Sequence, residues 1–117
     1  MKGVLLLNEN EPEKLFDKQE RIAYQQMAAV SYMKANKIQV EKLNPYQIND
    51  YYTIPHALLF DLKRTNAHLD CLVIPSQRTI EKFIQIYPAR WLLLKSYFKE
   101  ILFVNKSEID DLDGTSY

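Results

Sequence analysis

The stretch Asp70-Cys71-Leu72-Val73-Ile74-Pro75-Ser76 decides the fold class. Its central residues are apolar without alternation, which is typical of a strand whose two faces are both covered, as in a parallel sheet. Residues 4–7 and 101–104 have the same apolar character and are followed by polar residues, so they predict two further buried strands. Residues 38–43 predict one more strand, in which apolar residues partly alternate.

Helical periodicity fills the segments between these strands. One apolar stripe predicts a helix over 12–36, because its members recur at spacings of seven, four and three residues. They are Phe16, Ala23, Met27 and Val30. Thr53 can cap a second helix, with Pro55 in its first turn. Residues 80–87 carry the next helical stripe, and Pro88 either kinks that helix or opens another.

Strand and helix therefore alternate four times, at intervals of about thirty residues. This order predicts an α/β fold: a three-layer domain with a mostly parallel four-stranded sheet flanked by helices. With 117 residues, the chain has the usual size of one domain. We expect that domain to span 1–104, followed by a polar, acidic C-terminal tail over 105–117.

Charge and cysteine content narrow the setting of the protein. The basic and acidic residues balance at 15 each, so no global field attracts nucleic acid or an anionic membrane, although a local patch is compatible with this balance. Cys71 is the single cysteine and lies in an apolar run, which predicts a buried thiol in a reducing compartment, the cytoplasm. The longest apolar runs fall far short of a membrane span, so no membrane contact is expected.

Several kinds of catalytic and cofactor site are excluded by composition and spacing. Neither Gly3 nor Gly114, the only glycines, follows a predicted strand, so a phosphate-binding loop is absent. His56 and His68, the only histidines, lie near opposite ends of one predicted helix and cannot share a metal ion from that helix alone. The Asp-Leu-Asp-Gly-Thr run at 111–115 looks like the nucleophile motif of haloacid-dehalogenase-type phosphatases, but it does not directly follow a strand. We expect no catalytic residue, no metal and no cofactor.

The carboxyl edge of the predicted sheet is the best candidate for a pocket, because parallel α/β proteins bind ligands there. Asn8 and Asn10 follow the first predicted strand, and Ser76 and Arg78 follow the third. Capping preferences favour a simpler role, in which Ser76 or Thr79 caps the next helix and Arg78 lies on the surface.

A candidate interaction surface lies in the polar, tyrosine-rich loop predicted over 44–52. This loop holds Tyr46, Tyr51 and Tyr52, and tyrosines are enriched at protein interfaces. The alternative is ordinary packing of these side chains in the core or at its rim. We expect this loop to contact another protein.

The order and spacing of these segments resemble the catalytic domain of serine recombinases, the resolvase/invertase family, over about residues 2–110. The similar stretches are 2–7, 37–40, 70–74 and 101–104 for the strands, 19–26 for the start of the first helix, 56–62 for the helix after the family's mobile loop, and 108–110 for the exit from the last strand. The resemblance implies a resolvase-catalytic-domain-like fold.

The positions that carry catalysis in that family differ here. The resemblance places Leu6, Asn8 and Asn10 where the family has a tyrosine, an arginine and the serine nucleophile. An asparagine amide cannot attack a phosphodiester to form the family's covalent intermediate. Of the arginines that the family places after the third strand, Arg78 alone is a candidate remnant. The chain also stops before the family's dimerisation helix and DNA-binding domain, so the resemblance implies an inactive, truncated relative.

Three functional expectations follow. The first is a non-catalytic regulatory or protein-interaction module whose partner is another protein. The second is a nucleic-acid-associated accessory factor of recombination or replication, for which basic side chains would form a patch. They are Lys14, Lys18, Arg21, Lys63, Arg64 and Arg78. The third is a small enzyme of unrecognised type, with its pocket at the strand ends. The sequence predicts neither the partner's identity nor the oligomeric state.

Overall fold

The strands form one parallel sheet. A computed structural model describes residues 1–11, 14 and 17–105. In chain order the strands are β1 (Lys2–Leu6), β2 (Gln39–Val40), β3 (Tyr51–Tyr52), β4 (Leu69–Ile74) and β5 (Phe98–Phe103). Their spatial order is β2-β1-β4-β5, β3 also pairs with β1, and each of these pairings is parallel. The predicted α/β class with a parallel sheet is confirmed.

Helices flank this sheet. Those of the described residues are α1 (Lys18–Ala35), α2 (Pro55–Thr65), α3 (Gln77–Ile86) and α4 (Pro88–Lys95). Helix α1 packs on one face of the sheet, in a buried cluster that includes Leu5 and Val73. The buried apolar residues of α2, α3 and α4 belong to a second cluster, with Leu6 and Leu72, on the other face. Because β1 and β4 are the central strands and are covered on both faces, residues 4–6 of β1 and 71–74 of β4 are apolar without interruption.

β1 and β4 approach each other closely at Gly3, which pairs with Cys71. A Cβ atom at Gly3 would lie 2.8 Å from Sγ of Cys71 and 2.9 Å from Cγ2 of Ile38, so only glycine fits without displacing its neighbours. The predicted burial of Cys71 is confirmed. This burial raises the pKa of the Cys71 thiol to about 11.

The outer edge of β1 pairs with two short strands instead of the single strand predicted over 38–43. β2 pairs with the first half of β1, and β3 pairs with its second half on the same edge. The chain leaves that edge over 41–50 and then returns to it. The predicted strand over 38–43 is therefore too long, and the predicted loop over 44–52 is wrong at its end, where β3 lies. A two-residue strand carries no periodicity, and β3 is held by its partner, for example through the N–H of Leu7, which donates to the carbonyl oxygen of Tyr52 at 2.7 Å.

Helix α1 buries a different face from the one that its apolar stripe predicts. The buried residues are Ile22, Gln25, Ala29 and Met33. Ala23 and Met27 are exposed and Val30 is half-buried, whereas Phe16 lies outside the described residues. The helix also begins later than predicted, after the N-cap Asp17, whose carboxylate accepts the N–H of Glu20 at 2.8 Å.

The other boundaries follow the predictions with small shifts. Ile54, not Thr53, is the N-cap of α2, and Pro88 opens α4. β5 begins at Phe98, before its predicted start at residue 101. Within the described ranges, we find no helix with the length and apolar character needed to cross a membrane. The predicted tail, with the Asp-Leu-Asp-Gly-Thr run at 111–115, lies outside the described residues from position 106 onward.

Candidate functional site

A cavity of about 320 Å³ opens at the carboxyl edge of the sheet, beside the ends of β4 and β5. Its lining residues are Glu11, Tyr24, Gln25, Ala28, Pro75, Ser76, Thr79, Val104 and Asn105. The strand order changes direction between β1 and β4, because the chain proceeds outward to β2 on one side and to β5 on the other. Open parallel sheets bind ligands at such a switch point.

The buried amide of Gln25 holds the loop that follows β1 and thereby forms part of the cavity wall. Its Oε1 accepts the N–H of Asn8 at 2.8 Å. Its Nε2 donates to the carbonyl oxygens of Asn8, Glu11 and Arg21. The apolar stripe predicted for α1 does not include Gln25, so sequence reasoning missed this residue. The polarity of Gln25 indicated solvent exposure. Nothing local in the sequence indicates that its side-chain amide forms hydrogen bonds with the backbone of the preceding loop.

The structure brings Ser76 to this cavity but leaves Arg78 outside the lining, on the exposed side of α3. Ser76 is the N-cap of α3, yet its side chain makes no capping hydrogen bond there. Asn8 is half-buried, and its Oδ1 accepts the N–H of the exposed Asn10 at 2.9 Å. Neither asparagine is among the lining residues, so the structure does not bring the four predicted pocket residues together.

The cavity is suited to binding by hydrogen bonds. The hydroxyl of Thr79 is buried and has no hydrogen-bond partner among the described residues. Ser76 and Tyr24 supply further hydroxyl groups, and Glu11 supplies a carboxylate. Among the described lining residues there is no histidine or cysteine, so these hydroxyls have no imidazole base beside them. The described part of the chain also contains no cluster of three or more His, Cys, Asp or Glu residues able to hold a metal ion.

The three tyrosines of the predicted interaction surface have different surroundings. Tyr46 is 89% exposed, Tyr51 is half-buried beside α1, and Tyr52 is only 7% exposed. The hydroxyl of Tyr52 donates to Oδ2 of Asp61 at 2.6 Å, and burial, followed by this bond, raises the pKa of Tyr52. Assigning Tyr52 to the interaction surface is therefore wrong. The prediction failed because Tyr51 and Tyr52 form β3. Successive side chains of a strand point to opposite faces, so Tyr52 enters the core.

Exposed apolar side chains gather instead at the junction of α3 and α4. This α3–α4 face consists of Ile86, Tyr87, Leu92 and Leu93. The Tyr87 ring packs edge-on against the His56 ring, with centroids 4.6 Å apart. Nδ1 of His56 in turn accepts a hydrogen bond from Nε of Arg90 at 3.1 Å. The junction is thus anchored to the start of α2 while its apolar side chains face solvent.

The basic side chains of the candidate nucleic-acid patch are dispersed and partly neutralised. Nζ of Lys18 lies 3.1 Å from Oε2 of Glu9, and Nε of Arg21 donates to the carbonyl oxygen of Glu9 at 2.8 Å. Nη2 of Arg64 lies 3.7 Å from Oδ1 of Asp61. Lys18 and Arg21 belong to α1, and Arg64 belongs to α2 on the opposite face of the sheet. The geometry therefore does not join them in one patch.

No family model, no curated protein and no solved structure matches this chain. The likeness to serine recombinases rests on the sequence segments alone.

Proposed function

We propose that this chain is a non-catalytic interaction module with a resolvase-like fold, and that its α3–α4 face binds another protein. The observation that carries the proposal is the exposure of four large apolar side chains within eight consecutive residues of a well-anchored helical junction. Contiguous exposed apolar surface marks interaction sites, because its burial against a partner is favourable. Tyr87 supplies the aromatic anchor that protein interfaces favour.

The surroundings of this face have the composition of an interface rim. Lys82, Gln85 and Lys95 are exposed polar residues on the same two helices. Nζ of Lys95 lies 5.6 Å from the centroid of the half-buried Trp91 ring, where a cation is attracted by the ring face. An apolar centre surrounded by polar and cationic groups fits a protein partner that presents a complementary apolar patch.

The proposal that the chain is non-catalytic rests on its resemblance to serine recombinases. Asparagine at positions 8 and 10 supplies neither the arginine nor the nucleophile that the family uses. In the structure, Asn8 is occupied with local loop contacts, since its backbone bonds to Gln25 and its side chain accepts from Asn10.

The test is capture of partners from extracts of the native host, with and without nuclease treatment, using three forms of the tagged chain. These are the wild type, Leu92→Glu and the control Gln39→Glu, which makes the same charge change at an exposed residue of β2. We expect one stoichiometric protein to survive nuclease with the wild type and the control, and to fall about tenfold or more with Leu92→Glu. Equal capture by Leu92→Glu would exclude this face. Partners that leave with co-purifying DNA would support the nucleic-acid accessory role instead.

The strand-end cavity favours a second candidate function, the binding of a small polar molecule. Its volume lies at the low end of the range for ligand pockets, and the unpartnered Thr79 hydroxyl offers a hydrogen bond inside it. Compounds that raise the melting temperature of the wild type are expected to lose that effect in Ala28→Trp, which narrows the cavity. The control Ala57→Trp adds the same ring at an exposed position of α2. Hits that shift both variants equally would bind elsewhere.

A further inference from the structure

The outer side of α1 carries no charge along three helical turns. From Ile22 to Met33 the sequence contains no charged residue, although the middle of this segment faces solvent. Residues two positions apart on a helix project about 200° apart, so Met27, between the buried Gln25 and Ala29, points away from the sheet. Met27 is accordingly 73% exposed.

Small and apolar side chains surround Met27 on this outer side. We define the α1 outer face as the exposed residues Ala23, Tyr24, Met27 and Ser31. A surface helix usually presents charged residues opposite its buried stripe. Here the inner stripe already packs on the sheet, and the outer face has no further element of the described chain to cover it. Burial of Tyr24 and Met27 therefore requires a second molecule.

The charges at the two ends of this face are self-complementary. Glu20 lies seven residues before Met27, and Lys34 lies seven residues after it. Seven residues make nearly two helical turns, so all three side chains project in almost the same direction. Both charged residues are exposed, and neither forms a salt bridge with another described residue. The Asp17 carboxylate, the largest influence, raises the pKa of Glu20, and the neighbouring Arg21 lowers it.

We propose that two copies of this chain associate through the α1 outer face, with their α1 helices antiparallel and a two-fold axis passing near Met27. The two-fold axis brings Glu20 of each copy opposite Lys34 of the other, and the two Met27 side chains meet at the centre. Such an isologous contact closes after two copies, so it makes a dimer and no larger assembly. Antiparallel helices also place the negative end of each helix dipole beside the positive end of the other.

This association uses a different surface from the α3–α4 face and does not depend on the proposed binding of another protein. Tyr24 also lines the strand-end cavity, so the second copy would cover one side of that cavity. An interface made by one helix per copy is at the low end of interface sizes. We therefore expect a Kd on the order of 10 μM at low salt, weakening at high salt as the ion pairs are screened.

Sedimentation equilibrium of the full chain, from about 1 to about 300 μM, tests the dimer directly. We expect reversible dimerisation in the wild type and in the control Gln39→Glu, which makes the same charge change as Met27→Glu at an exposed position of β2. Met27→Glu should raise the Kd about a hundredfold, since two carboxylates then face each other at the axis. A wild type that is monomeric at the highest concentration, or a dimer that Met27→Glu leaves unchanged, would overturn the proposal.

Charge exchange tests the antiparallel arrangement. Glu20→Lys and Lys34→Glu should each raise the Kd about tenfold, because each creates two like-charged pairs. The double variant restores both pairs with their signs exchanged, so its Kd should return to within about threefold of the wild type. Failure of the double variant to recover, while both single variants and the double variant keep the wild-type circular dichroism spectrum, would exclude the proposed pairing.

Discussion

Replacing Tyr52 by phenylalanine tests whether this tyrosine stabilises the core or contacts a partner. The substitution removes one oxygen and leaves the ring. The lost hydrogen bond joins the Tyr52 hydroxyl to Oδ2 of Asp61 over 2.6 Å, and Asp61 is itself only 8% exposed. A hydrogen bond to a buried charged group contributes about 1.5–3 kcal/mol, because its loss leaves the carboxylate poorly compensated. We therefore expect the free energy of unfolding to fall by about 2 kcal/mol.

Urea denaturation followed by circular dichroism measures this change. For a chain of this size the midpoint should fall by about 1 M with an unchanged slope. Tyr46→Phe is the matched control, since it removes the same oxygen from a side chain that is almost fully exposed, and it should change stability by less than about 0.5 kcal/mol. Tyr52→Phe combined with Asp61→Leu should recover part of the loss, because no polar group is then left buried and unpaired. Equal midpoints for Tyr52→Phe and Tyr46→Phe would refute the reasoning.

Three further predictions concern the contact between β1 and β4. Gly3→Ala should destabilise the fold by about 1–3 kcal/mol in urea denaturation, and Cys71→Ala should relieve part of that loss by removing the nearest atom. Cys71 should react with a thiol reagent only after denaturant is added, and rapid labelling of the native protein would contradict its burial. Because burial raises the pKa of Cys71 from 9.0 to about 11, the stability that the protonated thiol contributes should be lost as the pH rises from 9 towards 11. Asp70→Asn should flatten the acid side of the stability profile: the N–H of Lys2, then Lys99, lower the pKa of Asp70, so its contribution is present above its unfolded pKa and lost as the pH falls below it.

The burial of a strand on both faces could be predicted from the sequence, because such a strand is apolar at consecutive positions. The runs at 4–7 and 71–74 are apolar in every position, and they became the two strands that are buried on both faces. The alternation of these runs with helical stripes was then enough to predict the parallel sheet. Two parallel strands must be joined by a long crossover, and a helix between them provides that crossover. The sequence is compatible with Pro88 as either a helix kink or a helix start, and the structure makes it the first residue of α4.

The orientation of α1 could not be predicted, because the helix carries two stripes that compete for the sheet. The stripe through Ala23 and Met27 is more apolar, yet the stripe through Gln25 and Ala29 is buried. What decides between them is the backbone of the loop after β1, whose polar groups need the Gln25 amide. The need of a loop's backbone groups for hydrogen-bond partners leaves no periodic pattern in the helix sequence. Hydrophobic patterning therefore assigned this helix the wrong inner face.

A cavity lies at the edge of the sheet where the sequence places the pocket candidate, but most of its lining residues differ from the predicted ones. Parallel strands must end at a common edge, and a cavity does lie there with Ser76 in its wall. Its other walls come from the side of α1 and from the end of β5, which no local pattern connects to Ser76. The side chain of Arg78 points elsewhere because it follows the first turn of α3 outward, onto the exposed surface.

The division of the outer strand into β2 and β3 has a consequence for how the molecule resists fibril growth. An uninterrupted edge strand offers a row of free backbone donors and acceptors on which another chain can pair. Here the row is broken into pieces of two residues each, separated by the excursion over 41–50. An incoming strand would lose most of its ladder at that gap. Cross-β stacking should therefore not nucleate on this side of the sheet, and the excursion itself should accept inserted residues without exposing a longer template.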